Sequence, residues 1–261
     1  MLARQYLVTT ITAITLTLAL TGCETVGLDG DEASEAQATG STQLDPQILE
    51  AARRAEAQHN YIEAAQHYQS LLARDGGNLD LAMGLVRNLR YGGSNQQAIE
   101  VLNNLIAREG RTVALLSELG KAYVSADQMN LAIPVLEEAR GIDSSLWDIH
   151  AALGVAYDYE GRFDEARQSY AAAMLLSPRN PDILNNLALS QAQSGDLDGA
   201  IATMNQAADQ PSASSQVRQN LALLLALKGD PDAADRWARK DLPREIADEN
   251  AKYYRYLAGL E

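Results

Sequence analysis

The 261-residue chain holds one cysteine, Cys23, so no disulfide can form within it. Its three histidines, His59, His67 and His150, stand apart, and none belongs to a cluster with metal-ligand spacing. A phosphate-binding glycine loop and a nucleophile elbow are both missing. Positive charge is scarce as well: 21 Lys and Arg against 35 Asp and Glu give a net charge of −14. That balance excludes a nucleic-acid binder by charge and repels anionic lipid head groups. The adjacent carboxylates Glu137 and Glu138 read as solvated helix surface rather than an acid-base pair. The expectation is a protein that is not an enzyme and takes no cofactor, metal or small-molecule substrate.

No apolar run reaches the ~20 residues of a spanning helix. The run LVTTITAITLTLAL is shorter, is interrupted by five threonines, and follows a short segment carrying Arg4. This is the layout of an export signal, yet the usual Ala-x-Ala cleavage pattern is absent. Leu20-Thr21-Gly22-Cys23 instead resembles the bacterial lipobox, in which the cysteine is lipidated and becomes the first residue. The resemblance implies a signal peptide over 1–22 and a covalent lipid on Cys23. Glu24, where Asp often marks inner-membrane retention, implies export to the outer membrane, facing the periplasm. Loss of Arg4 takes the net charge from −14 to −15, so the lipid rather than basic residues must hold the protein on a membrane. From Glu24 to Leu44 there are five acidic residues, no basic one and no aromatic one. Residues 23–44 are therefore expected to form a flexible tether, with a root-mean-square reach of roughly 25 Å.

Beyond residue 44 the chain repeats every 34 residues: Ala64, Ala98, Ala132, Ala166, Ala200 and Ala234 form one ladder. Gly93, Gly161, Gly195 and Gly229 form a second, with Asp127 and His59 at the same register. Six units follow over 45–248. In the fourth, Leu153, Gly154, Tyr157, Ala166, Tyr170, Ala173 and Pro178 match the signature positions of the tetratricopeptide repeat family, which this stretch resembles. Small residues at unit positions 8 and 20 let two antiparallel helices approach, and larger ones fill the space beside them. The implied fold is all-α: a right-handed superhelical α-solenoid of six helix pairs. Residues 249–261 are expected to form a capping helix, with Tyr253, Tyr254, Tyr256 and Leu257 covering the terminal face. The first unit departs most from the pattern, with Ala51, Ala52 and Ala55 at signature positions.

In that family the first helix of each unit lines a concave groove through positions 2, 5, 9 and 12. Here the first three units place Arg53, Asp80, Met83, Arg87, Arg90, Ser117 and Lys121 there, four of them basic on an acidic protein. Later units supply Asp158, Asn185 and Gln219 among more apolar and amide residues. Such a groove suits an extended peptide, with amides bonding its backbone and cations holding an acidic group. Ordinary solvated charge is the other account of the same residues. Units five and six, above all Val217-Arg218-Gln219-Asn220-Leu221-Ala222-Leu223, resemble the TadD-type lipoproteins of the Tad (tight adherence) system that assembles Flp pili. That resemblance implies a scaffold for the secretin pore or another pilus-assembly component. A general periplasmic adaptor for type IV pilus secretins, outer-membrane protein assembly or cell-wall enzymes remains the alternative.

Overall fold

The computed structural model describes residues 45–260. The expected signal peptide over 1–22, the expected lipid site at Cys23 and the expected tether up to residue 44 lie outside the described residues. Within them the chain forms thirteen α-helices and no strand. They are α1 (Pro46–Ala57), α2 (Tyr61–Leu72), α3 (Leu79–Tyr91), α4 (Asn95–Glu109), α5 (Val113–Ser125) and α6 (Met129–Ile142). Then come α7 (Trp147–Tyr159), α8 (Phe163–Leu176), α9 (Pro181–Ser194), α10 (Leu197–Ala208), α11 (Ser215–Leu227), α12 (Pro231–Ala238) and α13 (Arg244–Leu257).

Local chemistry punctuates each pair. Asp45, Asn78, Thr112, Asn180 and Ser214 cap α1, α3, α5, α9 and α11, their side chains accepting from backbone N–H groups of the first turn. Within each pair the turn needs one left-handed residue. His59, Gly93, Asp127, Gly161, Gly195 and Gly229 all have φ between 56° and 97°, and they are the whole second ladder of the sequence. The first unit therefore forms the same helix pair as the rest, with His59 accepting the conformation that glycine adopts without strain elsewhere.

Each odd-numbered helix packs on the even one that follows it, and the pairs stack in order. From α3 onward consecutive odd helices also touch, whereas no two even helices pack extensively. The odd layer is therefore the inner, more tightly curved one. All six alanines of the first ladder are fully buried where the paired helices meet. Position 8 behaves similarly: a Cβ on Gly154 would stand 2.5 Å from the Tyr170 ring, and one on Gly120 would stand 2.4 Å from Leu136. Glycine at these two positions is what allows a large side chain to lie across the partner helix.

The carboxyl-terminal end differs from expectation in two respects. The last helix starts at Arg244, so the boundary at 248 falls inside it. The sixth unit's second helix, α12, stops after eight residues, and Pro243 ends the intervening loop. Asp241, where alanine is usual, makes two hydrogen bonds with Arg218, at 2.7 and 2.6 Å, and these tie the shortened end to α11. Against the expectation, Tyr256 is 64% exposed and covers nothing. Tyr254 is buried on Ala222, Ala226, Ala234 and Ala238, with Tyr253 and Leu257 partly buried beside it. Because α13 touches both α11 and α12, it occupies the place of a seventh unit's first helix.

Candidate functional site

The inner faces of α3, α5 and α7 enclose a cleft of about 430 Å³. Arg87 and Arg90 reach it from α3, Lys121 from α5, and Trp147, Ala151 and Val155 from α7. Three of the cations expected in the groove are thus brought together. They do not stand free, however. Glu118 lies 2.8 Å from Lys121 Nζ and 3.6 Å from Arg90, and Lys121 is also 2.6 Å from Asp148. Arg87 is exposed and makes no ion pair with any described residue. Arg90 also stacks over Tyr91, 4.4 Å from the ring centroid.

The remaining expected groove residues lie elsewhere. Arg53 is exposed on α1, and Met83 packs against the core formed by α3, α4 and α5. Asn185 accepts from Asn220 at 2.8 Å, a bond between successive inner helices. Gln219 bonds weakly to the Ala238 carbonyl at 3.4 Å, and its Oε1 is buried without a partner. Asp158 is structural as placed: its carboxylate accepts from Tyr170 Oη at 2.9 Å and Ser190 Oγ at 2.7 Å. Burial, which outweighs those two bonds, raises the Asp158 carboxyl above its ordinary value of 3.8. The same burial, with the Asp158 charge beside it, holds the Tyr170 hydroxyl well above 10.

The sequence reading missed Glu118, Tyr91 and Trp147. They occupy positions 6, 13 and 1 of their units, off the stripe assigned to the groove. The signal available was Glu118 standing three residues before Lys121, a spacing that places the two on one helical face. The other groups set aside as non-catalytic have ordinary partners. His150 is buried and bonds the Ser144 carbonyl at 2.9 Å, Glu137 accepts from the Tyr157 hydroxyl and pairs with Arg140, and Glu138 pairs with Arg111.

Residues 151–215 match the family model described as tetratricopeptide repeat. None of the curated proteins compared with the chain matches it. Among solved structures, TTC0263, a thermophilic TPR protein of Thermus thermophilus, is similar at 24% identity with a TM-score of 0.63. That match covers 69% of this chain and 98% of the other. A MamA structure matches at 25% identity and TM-score 0.45 over 63% of this chain and 92% of its own. YrrB, described as a TPR protein with an unusual peptide-binding site, matches at 20% identity and TM-score 0.43, covering 66% and 88%. The Thermus likeness and the helix order together show that the fold is a tetratricopeptide solenoid of six helix pairs closed by a carboxyl-terminal helix.

Proposed function

We propose that the protein is a lipid-anchored scaffold of the bacterial outer membrane that holds an extended segment of another protein on its inner face. In this reading the lipid sits on Cys23, and the partner is the secretin or another component of Flp pilus assembly. The observation that carries the scaffold reading is the α3–α5–α7 cleft, where cations from α3 and α5 face an apolar wall from α7. The lipobox-like Leu20-Thr21-Gly22-Cys23 supports the anchor, and the TadD-like pattern of units five and six supports the pilus. TPR folds present such inner faces to peptides as helix-lined grooves.

The test must spare the buried ion pairs, since removing Lys121 or Arg90 would take away one of the two counter-charges of the buried Glu118 and weaken the fold. Arg87→Glu reverses the exposed cationic charge of the cleft instead. In cells, that variant is expected to keep its abundance and membrane fractionation while surface pili and secretin multimers fall sharply. Wild-type capture of secretin from envelope extracts, lost in the variant, is the matching binding result. Normal pili in a complete deletion strain would remove the pilus role and leave the general periplasmic adaptor.

A further inference from the structure

We infer that the α3–α5–α7 cleft takes a protein segment presenting a single carboxylate beside an apolar side chain, and that Glu118 imposes this limit on charge. The inference rests on the reading of the inner face as the partner-binding face and names what that face accepts. Arg87, Arg90 and Lys121 share the cleft with Glu118 and Asp148, a surplus of one positive charge. The Glu118 side chain is only 10% exposed and is held between Arg90 and Lys121, and Asp148 engages Lys121 a second time. Two of the three cations are therefore already compensated.

Arg87 is not. It stands one helical turn from Arg90 on α3, so a carboxylate meeting Arg87 also lies beside Arg90, whose Nε is buried with no hydrogen-bond partner. Two guanidinium groups at that spacing suit one carboxylate. Across α5, the wall from α7 offers Trp147, Ala151 and Val155, which suit an apolar or aromatic side chain next to the carboxylate. A segment with several carboxylates meets Glu118 and Asp148 instead of further cations, and like charges at close range repel it. Glu118→Gln keeps the shape of the side chain, removes the counter-charge of Arg90 and one of the two that Lys121 has, and raises the surplus from one to two. Asp148→Asn removes the other counter-charge of Lys121, from a more exposed position, and leaves the Glu118 pairs in place.

The test is nuclear magnetic resonance of the full chain in detergent micelles, following the Trp147 indole N–H and the Arg87 side-chain N–H. Three probes are titrated: N-acetylphenylalanine, its amide, and the tricarboxylate tricarballylate. N-acetylphenylalanine is expected to shift both signals, and its amide to bind at least tenfold more weakly. Tricarballylate is expected to bind the wild type no more tightly than the monocarboxylate, and to gain at least tenfold on Glu118→Gln. Asp148→Asn, the gentler change, is expected to give a smaller gain in the same direction, and circular dichroism checks that both variants stay helical. Tighter binding of tricarballylate than of the monocarboxylate by wild type overturns the inference. So does the absence of any gain in either variant, or of any shift with the three probes. If secretin capture still depends on Arg87 in that case, the partner-binding face stands and only the charge limit falls.

Discussion

A carboxylate, a tyrosine and a short polar side chain meet at two junctions of the solenoid. Glu56 accepts from Tyr68 and Asn88, and Asp158 accepts from Tyr170 and Ser190. Corresponding members of the two sets are 102 residues apart, three whole repeats. Each set pins one unit to the next, since the third member always comes from the following inner helix. At Asp158 the pin titrates. Its carboxyl is raised above 3.8 by burial, so between that value and the raised one the folded chain binds more protons than the unfolded chain. Stability from this group is therefore present below 3.8 and is lost as pH rises through the raised value. Asp158→Asn removes the titration, so its stability relative to wild type should climb with pH across that window and then level off. Carboxylates shifted the other way by arginine partners, such as Asp241, cancel in the difference. Urea midpoints of both proteins in a pH series measure it, and a difference that stays flat or falls would show that the carboxyl is not raised.

At the scale of the helix pair, the fit of glycine against a large side chain decides stability. Tyr170 is 1% exposed, and its hydroxyl is fixed on Asp158, so its ring has nowhere to retreat from a methyl group at 154. Gly154→Ala should cost about 1–2 kcal/mol, overpacking outweighing the gain in helix propensity. Gly141→Ala, with nothing within 4 Å of the new atom, should instead be neutral or gain about 0.5 kcal/mol. Opposite signs from one chemical change, read by urea unfolding, check the packing register. That register was legible in the sequence because every unit obeys the same 34-residue interval, so the buried alanines and the left-handed turn residues repeat with it. His59 and Asp127 hold the same register without being glycine, and both take the left-handed conformation there. The cleft was half legible. Arg87, Arg90 and Lys121 follow from their unit positions, but Glu118 meets Arg90 from the next unit, a contact set by how inner helices stack. The short α12 and early α13 were not legible, since they follow from Pro243 and the Arg218–Asp241 pair rather than from the period.

For the whole molecule, a stack of units that touch only their neighbours must end on a helix with one apolar and one polar face. α13 is that helix: Ala247, Ala251 and Tyr254 are buried, while Glu245, Lys252, Arg255 and Tyr256 are exposed. Two neighbouring tyrosines on the one helix separate covering from mere presence. Tyr254 is 4% exposed, so Tyr254→Ala should open a cavity over Ala222 and Ala238 and cost about 3 kcal/mol. Tyr256, 64% exposed and stacked only on Tyr253, should cost under ~0.5 kcal/mol when replaced by Ala. In a quasi-one-dimensional array the Tyr254→Ala damage should stay near its end, lowering hydrogen-exchange protection in α11, α12 and α13 while α1 to α4 keep theirs. Equal losses from the two substitutions, or protection lost evenly along the chain, would mean that the last helix does not close the stack through Tyr254.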